Sequence, residues 1–228
     1  KACFYMEQVE GIKFPSIPGF NINEATDILL KRDFDKYREI GEPHPFLVAK
    51  GRDFLIPFSH EHFELWTQSL HFGAKDRLNF VDPKTNLKVG GGLDDVWLNI
   101  NTNCLHIVDY KSTSQKSDKG PITLDDPWKA SYKRQMDLYV WVLRKKGFHV
   151  DDVGYFLYCD GDRFSDYDFL SSTTASMNFK ITLIDYKTND TWIEPTLQDI
   201  SECLNESKRP QHSDYCEYGK FLTQSLNQ

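Results

Sequence analysis

Along the hydrophobic and polar pattern, two runs of strand-forming residues, Leu93 to Ile100 and Cys104 to Lys111, flank an Asn-Ile-Asn-Thr-Asn turn and predict a β-hairpin. Upstream, apolar residues at Ile22, Ala25, Ile28, Leu29, Phe34 and Tyr37 recur near helical spacing, predicting a packing helix with no chemistry of its own that Gly41 ends. A second helix starts near Pro57, with Ser59 as its cap, and runs toward Leu70. Strands are expected over Arg77 to Val81 and from Leu87 onward, around a turn at Asp82 to Asn86. The glycine run Gly90 to Gly92 suggests a plain bend, a close backbone approach, or an opening for a phosphate. Asp126-Pro127 opens a long helix that stops at Gly147, with apolar positions Trp128, Tyr132, Met136, Tyr139, Val140 and Leu143. Lys129, Lys133 and Arg144 fall on its other face and read as solvent charges, while Gln135 sits about 40° from Tyr139 and needs a polar partner near the sheet. Strands near 154–159 and 179–186 and a helix over 192–205 complete an α/β pattern.

The hairpin carries its charges in odd places. Side chains on a strand alternate faces, so Asp109 and Lys111 point where Leu105 and Ile107 point, and Asp94 shares a face with Val96, Leu98 and Ile100. Asp94 rather than Asp95 is then the buried-side acid. An even-numbered loop places position 94 beside position 109, gathering two carboxylates and an ammonium at the edge of a core. Burying such groups costs several kcal/mol unless something pairs them. A lysine neutralises one carboxylate; a divalent cation with oxygen ligands neutralises both.

Composition narrows the setting. The 228 residues suit one large domain, and 39% apolar with 27% charged residues is ordinary for a globular chain. No apolar run approaches the roughly 18 residues of a membrane span and no signal-peptide pattern precedes Cys3, so no membrane partner and a cytoplasmic location are expected. A net charge of −7 argues against tight non-specific duplex binding through lysines and arginines, though not against an enzyme that takes its cation from solution. The five cysteines, Cys3, Cys104, Cys159, Cys203 and Cys216, are widely spaced and read as reduced thiols. The polar stretch from Gln115 with Lys116 and Lys119 reads as a solvated loop or a substrate guide.

Gly-Leu-Asp94, then Ile-Val-Asp109-Tyr-Lys111, then Gln135-Met-Asp-Leu-Tyr139 resembles the PD-(D/E)XK nuclease superfamily. The similarity is closest to its RecB-like branch, which includes the CRISPR-associated iron–sulphur nucleases. The resemblance implies a restriction-endonuclease-like core, a mixed central sheet flanked by helices, with an N-terminal helical addition. It reads as a single domain with a helical part over 1–75, a catalytic core over 76–205 and a tail over 206–228. It implies a metal-dependent deoxyribonuclease in which Asp94, Asp109 and the Tyr110 backbone carbonyl hold Mg²⁺ or Mn²⁺ against DNA. The metal would polarise the scissile phosphate and acidify an attacking water. Lys111 would orient or deprotonate that water, and Gln135 and Tyr139 would position Lys111 or a phosphate. An upstream helix often adds a ligand in this branch, which makes His60, Glu61 and Glu64 candidates.

In the cluster-bearing relatives, a cysteine matching Cys3 joins three near the C-terminus. Here Cys216 is kept, Gly219 stands where another cysteine is expected, and Cys203 is a distant third thiol, so an iron–sulphur cluster is not expected. Two other classes of function compete: a catalytically silent nuclease fold that binds nucleic acid or a protein partner, and a structural salt bridge in an unrelated α/β protein.

Overall fold

The computed structural model describes residues 1–13, 21–67, 78–116 and 120–226. In chain order the elements are α1 (Ala2–Gln8), α2 (Asn21–Ile40), α3 (Pro45–Ala49), β1 (Leu55–Pro57), α4 (Phe63–Thr67), β2 (Leu78–Val81), β3 (Lys88–Gly91), β4 (Asp95–Asn99), β5 (Cys104–Thr113), a 3₁₀ turn (Pro127–Lys129), α5 (Ala130–Lys145), β6 (Val153–Gly161), β7 (Phe179–Lys187), α6 (Ile193–Leu204) and α7 (Glu217–Leu226). The far end of the helix expected to reach Leu70, the start of the strand expected from Arg77, and Lys119 lie outside the described residues.

The chain divides into two compact units, and not at residue 75. The larger comprises Gly19–Val81 and Lys88–Asp190; the smaller gathers Lys1–Pro18, Asp82–Leu87 and Thr191–Gln228. The N-terminal part, expected to be helical, also contributes to the central sheet. Its Leu55–Pro57 segment is an edge strand of the central sheet, and α2 packs on that sheet.

In the larger unit, five strands form a mixed sheet in the order β1-β4-β5-β6-β7. β1 pairs antiparallel with β4 and β4 with β5, β6 returns parallel to β5 after the α5 crossover, and β7 pairs antiparallel to β6. β2 and β3 form a separate two-stranded sheet. The β4–β5 hairpin closes through Ile100–Asn103, an even loop, with Asn103 at φ 55° and the Asn99 side chain accepting from the N–H groups of Asn101 and Thr102.

Both faces of the central sheet are covered. Phe34 from α2 stacks on Trp97 and Tyr110 at centroid distances of 5.2 and 6.2 Å, within a core that includes Leu47, Leu55, Val108, Tyr155 and Leu157. α5 packs elsewhere on the unit so closely that a Cβ on Gly154 of β6 would lie 2.5 Å from Met136 Sδ. The buried face of α2 follows Thr26, Leu30, Phe34 and Arg38, four residues apart, whereas Ile22, Ile28 and Leu29 are exposed. Of the apolar stripe expected there, Phe34 is in the core and Tyr37 is half-buried, while Ile22, Ala25, Ile28 and Leu29 are exposed.

α5 departs from expectation in its first turn. Trp128, expected in the apolar stripe, is 59% exposed, and Lys129, expected in solvent, is 4% exposed. The 3₁₀ turn rotates the first residues relative to the helix proper, and Lys129 Nζ is satisfied by the Thr123 carbonyl at 2.6 Å and by Asp126 at 2.9 Å. Arg144 is likewise engaged, with Asp152, Asp190 and the Val150 carbonyl.

In the smaller unit, α1 meets α6, and Tyr5 Oη donates to the Glu206 carbonyl at 3.0 Å. Arg209 forms a bidentate pair with Glu10. Among the described residues no helix is long and apolar enough to cross a membrane.

Candidate active site

The site forms where β4 and β5 part. Their register pairs Asp95 with Val108, and one further step places Asp94 opposite Asp109. At that step the ladder ends, and the Asp94 carboxylate takes over, accepting the Tyr110 backbone N–H at 2.8 Å. A strand residue directs its N–H and C=O to the same side, so the Tyr110 carbonyl faces the fork as well.

Asp109 is 2% exposed, and its Oδ2 lies 2.5 Å from Lys111 Nζ. Their alternation on β5 puts both side chains on one face, and the Lys111 ammonium also sits 4.6 Å above the Tyr132 ring. A third carboxylate arrives from α2. Asp27 is half-buried, its Oδ1 has no hydrogen-bond partner, and its charge is felt by Asp94. Thr26, beside it, contacts the Ser112 hydroxyl on β5 and so pins this part of the helix to the strand.

Electrostatics follow from burial and proximity. Burial raises the Asp94 carboxyl well above the usual carboxylate range, and the Asp109 charge raises it further. Asp109 is raised by burial, against which Lys111 and a hydrogen bond from Asp94 act. Both carboxyls are thus held above the ordinary carboxylate range. Asp27 is pushed up to about 6, by burial and by Asp109, with Lys111 opposing. Burial alone would depress the Lys111 ammonium, but Asp109 and Asp94 outweigh it and the net shift is upward. With all three acids ionised and Lys111 protonated, the fork holds a net charge of about −2, which a divalent cation cancels.

Tyr139 completes the wall. Gln135 Nε2 donates to its hydroxyl at 2.9 Å, which leaves the Tyr139 proton free to point elsewhere. Burial raises the Tyr139 pKa, and the charges of Asp94 and Asp109 act in the same direction. The glycine run is explained by close approach: a Cβ on Gly91 would lie 2.9 Å from Tyr139 Oη, and one on Gly90 would lie 2.1 Å from the Leu78 carbonyl. Beyond Lys111, at the end of β5, a cavity of about 520 Å³ opens between Ser114, Lys116, Trp128, Tyr158 and Arg163.

The structure thus brings together Asp94, Asp109, Lys111, the Tyr110 carbonyl, Gln135 and Tyr139. His60 is placed otherwise. Its Nδ1 accepts the His62 N–H at 3.1 Å, capping the turn before α4 in place of Ser59, and its ring stacks on Trp66 at 4.6 Å beside Phe58 and Phe148. Glu61 and Glu64 are exposed, and Glu61 faces His62. The acid of an upstream helix whose charge is felt at Asp94 is Asp27. Sequence reasoning also missed Tyr132, although it precedes Gln135 by three residues and Tyr139 by seven, the spacing of one helical face.

Asp95, expected on the solvent side, is 0% exposed. It accepts from Arg38 at 2.5 Å, Tyr110 Oη at 2.7 Å, the Val96 N–H at 2.7 Å and Trp97 Nε1 at 3.2 Å. α2 covers this face too, so the one-sided alternation behind the expectation does not apply.

Asp94, Asp109 and Asp27 offer oxygen donors, the type that suits a hard cation such as Mg²⁺ or Mn²⁺, but among the described residues only Cys3, His212 and Cys216 bring three ligand atoms within 4.8 Å of one another. No family model matches the chain, and comparison with curated proteins and with solved structures gives no significant match.

Proposed function

We propose that the fork between β4 and β5 is the active site of a divalent-cation-dependent nuclease that hydrolyses phosphodiester bonds in DNA. The observation that carries this reading is the Asp109–Lys111 ion pair placed opposite Asp94 where β4 and β5 part, with Asp109 buried, Asp94 half-buried and Asp27 near enough for its charge to be felt. A merely structural acid cluster gains nothing from such an arrangement, because unpaired buried charge is destabilising. The order of elements agrees with the restriction-endonuclease-like core that the resemblance implies: an antiparallel run β1-β4-β5, a helical crossover, and a parallel return in β6.

Asp27, Asp94, Asp109 and the Tyr110 carbonyl would hold the ion. When bound, it supplies charge neutralisation at the phosphate and a more acidic water. The remaining chemistry belongs to the chain. Lys111, kept protonated by its acidic neighbours, donates hydrogen bonds and positive charge to the phosphoryl oxygens rather than acting as a base. Tyr132 supports the ammonium from below. Tyr139, its lone pair engaged by Gln135, directs its proton toward the site and fixes either a phosphate oxygen or a carboxylate. The cavity beyond Lys111, with Lys116, Arg163 and the exposed Trp128, has the charge and the aromatic surface to receive a nucleotide flanking the scissile bond.

The test is an assay on single-stranded and duplex DNA with Mg²⁺, with Mn²⁺ and with chelator. Cleavage is expected only with the ion and only with Asp109 intact; undiminished ion-dependent cleavage by Asp109→Ala overturns the assignment. The net charge of −7 favours a second reading, a nuclease fold without activity. Mn²⁺ binding at the fork with no cleavage of either substrate selects it.

A further inference from the structure

Within the smaller unit, three soft donors from opposite ends of the sequence meet. Cys3 Sγ lies 3.4 Å from Cys216 Sγ and 3.6 Å from His212 Nδ1, and His212 Nδ1 lies 3.3 Å from Cys216 Sγ. The sequence separations from Cys3 are 213 and 209 residues, so the fold itself has assembled the group. Around a tetrahedral zinc ion with Zn–S of about 2.3 Å and Zn–N of about 2.0–2.1 Å, neighbouring donors fall about 3.5–3.8 Å apart. The three atoms therefore already span close to one face of such a tetrahedron. His212 Nε2 is buried without a hydrogen-bond partner, so no other polar group draws the ring away from the thiols. The Gly219 N–H donates to Cys216 Sγ at 3.3 Å, fixing the sulphur's position.

An iron–sulphur cluster does not fit these residues. It generally takes four thiolates, and here the imidazole occupies the place a further thiol would need. A Cβ at Gly219 would lie 2.5 Å from His212 Cβ and 2.6 Å from its Cγ, so a cysteine at 219 and this placement of His212 exclude one another. Cys203 is buried on α6 and is not one of the grouped donors.

We propose that Cys3, His212 and Cys216 form a mononuclear site for a borderline-soft divalent ion, zinc foremost, with its fourth position open to water or a small ligand. Thiolate and imidazole donors select against the Mg²⁺ or Mn²⁺ suited to the acid fork, so the two sites take different ions. The bound ion ties α1 to the segment preceding α7 and holds the smaller unit closed.

The test uses the full chain purified under reducing conditions. Elemental analysis is expected to find about one zinc per chain. Cobalt added to the metal-free protein is expected to give a thiolate-to-cobalt charge-transfer band with the intense visible absorption of tetrahedral Co²⁺. Cys3→Ser and Cys216→Ser should lose both signals and melt at lower temperature. Cys203→Ser and Asp109→Ala should keep them, which separates this site from the proposed nuclease centre. Should Cys3→Ser or Cys216→Ser fail to fold, the cobalt titration of the unaltered chain still decides. A metal-free protein with no charge-transfer band on cobalt addition overturns the proposal; so does iron with stoichiometric sulphide, or a Cys3–Cys216 disulphide that persists in reductant.

Discussion

Asp94 and Asp95 are neighbours in sequence, yet they sit in opposite electrostatic situations. Asp95 is wholly buried and receives four donors, among them a guanidinium, an indole and a phenol. Asp94 has one donor, a backbone N–H, and a second carboxylate against it. The first arrangement satisfies a charge and locks α2 to the sheet. The second has a single backbone donor, the shortage that the proposed ion would make good. Burial of an acid is thus a poor indicator of function; the shortage of partners around it is the informative quantity.

Mutations should separate the two. Asp109→Ala is expected to reduce ion-dependent DNA cleavage by roughly 10³-fold or more, in line with loss of a principal electrostatic group. Its thermal unfolding in chelator should occur at an unchanged or higher temperature, because one of two repelling carboxylates is gone. Arg38→Ala does the reverse. It strands Asp95 in the core and should cost about 3–5 kcal/mol by denaturant unfolding, with Mn²⁺ affinity at the fork retained in the folded fraction. Equal destabilisation by both substitutions would erase the distinction between the two acids.

The hairpin and its register were legible because face alternation and an even turn fix which residues meet, whatever surrounds them. Asp94, Asp109 and Lys111 follow from that alone. Asp95 was misplaced because alternation speaks of one buried face, while β4 and β5 are buried almost continuously. Asp27 was hidden for a related reason. The strongest apolar spacing on α2 runs through Ile22, Ile28 and Leu29, which are exposed, and the packed face instead includes Thr26 and Arg38, polar residues that no hydrophobic count selects. Lys129 shows the same blind spot: a short 3₁₀ turn changes which way a side chain points, and helical angles counted from the wrong residue put it in solvent.

Acidity gives a graded probe of the fork. A carboxyl whose folded pKa exceeds its unfolded value binds more protons when folded, so stability falls as pH rises between the two values. For Asp27 that window runs from 3.8 to about 6, and Asp94 and Asp109 shift in the same direction. The metal-free protein should therefore lose stability as pH rises from about 4 through 6. Asp27→Asn should flatten part of that fall, raising the melting temperature at pH 7.5 more than at pH 4.5. Mn²⁺ binding to carboxyls held above the ordinary range must compete with protons, so its affinity should climb with pH over the same interval, measured by calorimetry in buffers of differing ionisation enthalpy. A pH-independent affinity would mean that these carboxyls are not the ligands.

The finest distinction concerns Tyr139, which touches the site through one hydroxyl. Removing that hydroxyl in Tyr139→Phe leaves Gln135 without its acceptor but adds no charge, so the expected loss is that of one ordinary hydrogen bond, about 1 kcal/mol or roughly fivefold in cleavage rate. Gly91→Ala reaches the same group by another route. The added methyl would lie 2.9 Å from Tyr139 Oη and push the ring aside without touching Asp94 or Asp109. If Tyr139 acts through its proton at the fork, the two substitutions should slow cleavage to a similar degree and combine non-additively, with Mn²⁺ affinity unchanged in both. If the ring merely fills space, Tyr139→Phe keeps full activity and only Gly91→Ala is impaired.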